Sequence, residues 1–134
     1  MTETLNILAN FLIPFLIGSL IFFSSIVAPN TFINLDEKNA RKFIRTLFPK
    51  IYTYAGILSL LIAIFLLKVE VFYSFIFFVI SLGYFYSKFF LMKKINIASD
   101  LKDNKKFKIL HRFSVIIFIL QIILMGFVYY LLMN

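Results

Sequence analysis

His111 is the only histidine in a chain without cysteine, and no aspartate or glutamate lies within any of its long apolar stretches. Haem iron and copper both accept an imidazole, which makes His111 the candidate cofactor ligand, for haem b or copper. A bis-histidine haem cannot form within one such chain. Its second axial ligand must come from another subunit or from Met, Lys or Tyr. One imidazole without thiolates or clustered carboxylates is a poor zinc or copper site, so no metal site is assigned. Ser-His-Asp sets, paired carboxylates and glycine-rich phosphate loops are absent, so no catalytic residue is assigned and an enzyme is not the expected reading.

The other polar groups able to act fall at helical spacing inside the apolar stretches. His111, Ser114, Phe118, Gln121, Met125 and Tyr129 step by three or four and share one helix face. Tyr52, Gly56, Ser59 and Ala63 form a second such face, Ser74, Ser81, Tyr84 and Lys88 a third, and Asn6, Asn10, Pro14 and Gly18 a fourth. Polar groups are costly in hydrocarbon, so these faces should turn toward one another. Asn10, Tyr52, Ser59, Ser81, Tyr84, Ser114 and Gln121 make up the candidate seam. Two readings stay open: a helix-packing seam, or a small ligand cavity lined by Asn10, Tyr52, Tyr84, His111 and Gln121.

The elements that must position these residues are four apolar runs, 5–28, 51–67, 71–92 and 113–133, with Lys88 the only charged side chain inside them. About 20 apolar residues at about 1.5 Å each span a bilayer core of about 30 Å, and each run is close to that length. Hydrophobic residues make up 62% of the chain, against about 45–50% in soluble domains. The fold class expected is all-α, an integral membrane four-helix bundle forming a single transmembrane domain over 1–134. The first run lacks a basic n-region and is too long for an h-region, so a cleaved signal peptide is not expected.

The net charge of +8 collects in two segments, 30–50 and 93–112, where the positive-inside rule places cytoplasmic loops. Both termini are then outside. The composition does not call for a nucleic-acid partner. In the first loop Ala40, Phe43, Ile44 and Leu47 form an apolar stripe, and Lys38, Arg41, Lys42 and Arg45 repeat the spacing on the opposite side. This predicts an amphipathic cytoplasmic helix between the first two spans, capped by Asn34 and closed by Pro49, lying along the interface. Its four basic residues would face anionic lipid; the plainer alternative is a connector that fixes how the first two helices meet. The halves also resemble each other weakly, Arg41-Lys42-Phe43 before the second span matching Lys105-Lys106-Phe107 before the fourth. An old duplication or chance would each produce this.

Between the first and second spans the chain reads Ala28-Pro29-Asn30-Thr31-Phe32, then Leu47-Phe48-Pro49-Lys50, and Leu110-His111-Arg112 precedes the fourth span. This resembles the family of small four-helix membrane proteins related to transmembrane protein 205, whose bacterial members form a domain of unknown function. Its motif residues fall here on Pro29, Phe32, Phe48, Pro49 and His111; of these, Pro29 is expected to end the first helix and Pro49 to start the second. The resemblance implies a multi-pass protein of the bacterial inner membrane. The wider grouping, with copper-resistance and haem-containing membrane proteins, carries histidines that the first three runs of this chain lack. The expected function is a structural, lipid- or partner-interacting membrane component. The rivals are a haem b or copper redox protein using His111, and a small oligomeric transporter built on the polar seam.

Overall fold

A computed structural model describes all residues, 1–134, and it is wholly helical. Four long helices carry the chain: α1 (Thr2–Asn34), α2 (Glu37–Leu66), α3 (Val71–Asp100) and α4 (Asn104–Met133), each long and apolar enough to cross a membrane. They pack in cyclic order, α1 on α2, α2 on α3, α3 on α4 and α4 on α1, with the most extensive contact between α2 and α3. Arg45 at the start of α2 meets Asp100 at the end of α3 (2.6 Å). At the opposite end the Lys68 ammonium lies 3.9 Å from the Met1 sulfur. The two basic connections therefore share one end of the molecule, and the termini share the other with the α2–α3 turn.

Each helix outruns its apolar run at its basic end, because hydropathy marks where the solvent changes and not where hydrogen bonding stops. Lys, Arg, Glu and Gln are good helix formers in water. At about 1.5 Å per residue, helices of this length reach about 45–50 Å, well beyond a hydrocarbon core of about 30 Å. The two long basic loops thus shrink to Leu35–Asp36 and Leu101–Asp103.

Two expectations are corrected here. The amphipathic segment is not a separate helix but the first turns of α2, which runs through Pro49 without a break. Asp36, in extended backbone, is its N-cap, and its carboxylate accepts from Asn39 Nδ2 (2.6 Å). Asn34 instead closes α1. Pro29 does not end the first helix either. A π turn at Phe23–Val27, where the Ala28 N–H donates to the Phe23 carbonyl, sits directly before it. Proline withholds one N–H from the ladder, and widened turns and side-chain donors are the usual accommodation. Asn30 Nδ2 and Thr31 Oγ1 donate to the Ile26 and Val27 carbonyls (2.8 Å each). A second π turn, Ser87–Leu91, interrupts α3.

The core is built from small and polar residues as much as large ones: Ala9, Ala55, Ser59, Ala63, Ser74 and Ser81 are buried beside Ile13, Leu16, Phe77 and Tyr84. Phe11, Phe15, Phe22, Phe75, Phe90, Ile119 and Phe127 point outward. A water-soluble protein does not leave so many large apolar side chains on its outside. Phe23 meets Phe48 edge-on (5.3 Å), and Phe48 leans on Tyr52 (5.8 Å), closing the α1–α2 contact at its basic end.

The α3–α4 turn is a Schellman closure. The Asp103 N–H reaches the Ala98 carbonyl (3.0 Å) and the Lys102 N–H the Ser99 carbonyl (3.1 Å). It forces Lys102 to φ 54, the one non-glycine residue with positive φ. A side chain there is strained by about 1–2 kcal/mol. Lys102→Gly should therefore raise stability in detergent by up to about 1 kcal/mol, read by thermal melts, whereas Lys102→Ala should give no such gain.

Candidate functional site: the polar seam and the basic end

Two serines on α3 hold the α2–α3 contact together. Ser74 Oγ donates to the Ala63 carbonyl (2.6 Å) and Ser81 Oγ to the Gly56 carbonyl (2.7 Å). Each hydroxyl reaches a neighbouring backbone because its target is alanine or glycine, and small residues let helices approach closely. Gly56 is required by its surroundings: a Cβ there would lie 2.8 Å from the Phe85 ring. From α4, buried Gln121 Nε2 donates to the Ile80 carbonyl (3.1 Å). It lies over Gly83, where a Cβ would come within 2.6 Å of that nitrogen.

Of the seam predicted from sequence, Tyr52, Ser59, Ser81, Tyr84 and Gln121 are buried in the interior. The Ser59 hydroxyl and the Tyr84 phenol lie buried without a protein partner, as does Asn10 Oδ1. Asn10 is half-buried and its amide bonds along α1 to Asn6 Oδ1 (3.2 Å). Ser114 bonds only to the His111 carbonyl one turn back (2.7 Å).

His111 is exposed, its ring stacked on Phe107 (5.6 Å, 4°). The α4 stripe turns inward only from Phe118 onward, so His111 and Ser114 stand apart from Tyr52, Tyr84 and Gln121. No side chain hydrogen-bonds the imidazole to fix its tautomer, as a ligating histidine ordinarily requires. No group of three His, Cys, Asp or Glu side chains converges. This donor set does not fit a haem or copper centre made within one chain.

At the basic end Lys38, Arg41 and Lys42 are exposed and Arg45 is half-buried. Arg41 pairs with Glu37 (2.8 Å), while Arg45 joins Asp100 and also donates to the Asn96 carbonyl (3.3 Å). Of the motif residues, Pro29 and Phe32 are exposed, and Phe48 and Pro49 half-buried.

Sequence reasoning missed the Ser19–Tyr54 hydroxyl pair (2.9 Å) linking α1 to α2, and the matching of Gly83 to Gln121. No periodicity marks either, since both depend on which helices become neighbours. The seven-residue step from Ser74 to Ser81, matched by that from Gly56 to Ala63, was the available signal for the serine clasps.

Residues 11–131 match a family described as a domain of unknown function, DUF4149. The chain belongs to this family. No curated protein and no solved structure matches it. The DUF4149 match spans all four helices, and nothing in it points to transmembrane protein 205 in particular.

The Gly83–Gln121 contact makes a testable pair. Gly83→Ala should destabilise the protein in detergent melts, and Gln121→Ala should remove most of that penalty in the double variant. A coupling of about 0.5–3 kcal/mol is expected for residues in direct contact. Strict additivity would show that Gly83 does not seat the amide.

Proposed function

We propose that this DUF4149 protein is a multi-pass component of the bacterial inner membrane that works through contact with lipid and partner proteins and not as an enzyme. The observation that carries the reading is the apolar exterior. Phenylalanine, isoleucine and leucine cover the outside, while inside serine, alanine and one glutamine are buried among leucine, isoleucine and aromatic side chains. Hydrocarbon is the solvent that this surface suits. Inside, Ser74, Ser81 and Gln121 spend their side chains on neighbouring backbones, whereas the Ser59 and Tyr84 hydroxyls stay unpaired.

In this reading the basic end faces the cytoplasm and both termini face outward. Support comes from the concentration of Lys and Arg in and around the two connections that share one end. The first turns of α2 then stand at the cytoplasmic surface with Lys38, Arg41, Lys42 and Arg45 toward anionic lipid or an acidic partner. The finer kinship with the transmembrane protein 205-like proteins rests on the sequence motif residues Pro29, Phe32, Phe48, Pro49 and His111.

The absence of native cysteine allows a clean test of embedding and orientation. Alkaline carbonate should leave the protein in the membrane pellet. In intact cells an impermeant maleimide that reaches the periplasm should label Lys68→Cys. Asn39→Cys and Asn104→Cys should react only after the membrane is opened. Extraction by carbonate would sink the membrane reading, and the reverse labelling pattern would invert the topology.

A further inference from the structure

We propose that a groove on the α2–α3 flank binds the phosphate of an anionic phospholipid, with Lys50 and Lys88 as its cationic ligands. The inference rests on the membrane reading above. Pro49, Lys50, Thr53, Tyr54 and Ile57 form the α2 wall and Lys88 reaches in from α3, around a volume of about 400 Å³.

Both formal charges in the groove are positive. Neither lysine belongs to an ion pair, since the chain's two ion pairs are Arg41–Glu37 and Arg45–Asp100. The larger groove nearer the tip of α2 differs: Lys38, Arg41, Lys42 and Arg45 share it with Asp36, Glu37 and Asp100. A phosphate there would face three carboxylates. At Lys50 and Lys88 it would face none.

Lys88 is the only charge inside an apolar run, and it is half-buried within the π turn of α3. Its ammonium lies 4.8 Å from the Phe89 ring centroid, a contact that orients the charge without neutralising it. A cation at membrane depth ordinarily finds an anion or snorkels to the headgroups. A phosphodiester at headgroup level would serve both lysines at once. The nearby hydroxyls are already engaged, Thr53 Oγ1 with the Pro49 carbonyl (2.8 Å) and Tyr54 with Ser19 (2.9 Å). The lysines are thus left as the principal ligands. Ile57, exposed one turn deeper, offers an apolar wall to an acyl chain. Two unpaired cations beneath such a wall suit a lipid phosphate better than a free one.

Native mass spectrometry of the detergent-purified full chain tests this, using phosphatidylglycerol against phosphatidylcholine of matched acyl chains. The wild type should retain phosphatidylglycerol preferentially. Lys50→Gln/Lys88→Gln should weaken that preference roughly tenfold or more, since each lysine near anionic lipid carries a substantial share of the attraction. Lys105→Gln/Lys106→Gln, the same charge change at the exposed start of α4, should leave it intact. Lys50→Arg/Lys88→Arg should also keep it, which guards against misfolding as the cause. Equal retention of both lipids by the wild type would overturn the proposal, as would undiminished preference in the Lys50/Lys88 glutamine variant or equal loss in the Lys105/Lys106 variant. Displacement of the lipid by millimolar inorganic phosphate would make this a soluble-phosphate site and overturn the lipid assignment. Failure here in a protein that still needs detergent leaves the membrane reading standing; dispersal without detergent would end that reading instead.

Discussion

Hydrocarbon offers a backbone N–H or C=O no solvent partner, so every peptide group inside it must be satisfied by the chain itself. That constraint explains why the molecule is four long helices whose hydrogen bonding runs on through two π turns, and also how they meet. With no hydrophobic force to drive helices together in lipid, contact relies on close packing and on hydrogen bonds across the interface. The α2–α3 pair shows both at the same places. Ser74 and Ser81 donate to carbonyls of Ala63 and Gly56, residues small enough to let the backbones approach. The glycine at 56 also receives the Phe85 ring. Removing the small residue would remove the hydrogen bond's geometry as well as the packing.

The rest of the interior follows from this clasp. With α2 and α3 fixed, α4 is tied to the pair by one mid-span amide, Gln121, seated in the space left at Gly83. Helix α1 joins through the Ser19–Tyr54 hydroxyls and the Phe23–Phe48–Tyr52 aromatic chain. Only α2 and α3 share repeated backbone-directed bonds. The helices around them are held by single polar contacts and apolar packing.

Much of this was legible in the sequence, for a stated reason. Four apolar runs with charges confined to their ends fix the number and type of elements, because hydropathy reads the solvent directly. The inward faces of α2 and α3 were also legible, since Tyr52, Ser59, Ser81 and Tyr84 fall on a helical period. Where helices ended was not. The Pro29 and Pro49 positions look like boundaries to a reader of single residues. In the folded chain a π turn carries α1 past Pro29, and α2 simply continues through Pro49. The position of His111 was equally opaque. Its spacing matches Gln121, but the stripe turns inward only beyond the point where α4 meets α3 and α1.

The two halves of the chain repeat one sequence of parts, which gives their weak sequence likeness a structural counterpart. In each half a helix that starts at the end away from the basic connections, α1 or α3, carries a π turn toward its basic end, at Phe23–Val27 and Ser87–Leu91. A short helical tail follows, then a tight connection and an uninterrupted helix whose first turns hold Arg41-Lys42-Phe43 or Lys105-Lys106-Phe107. A π turn accommodates one extra residue and so rotates everything beyond it by roughly one residue's worth of arc, about 100°. The face that packs inside the hydrocarbon is thereby uncoupled from the face that packs at the basic end. Thr31 and Ala98, in the two tails, return to buried positions after it. The halves differ in what they place at that turn. In α1 it holds uncharged Phe23-Ser24-Ser25, whereas in α3 it holds Lys88. The same backbone device therefore brings Phe23 onto Phe48 of α2 in one half and carries a cation without an ion-pair partner in the other.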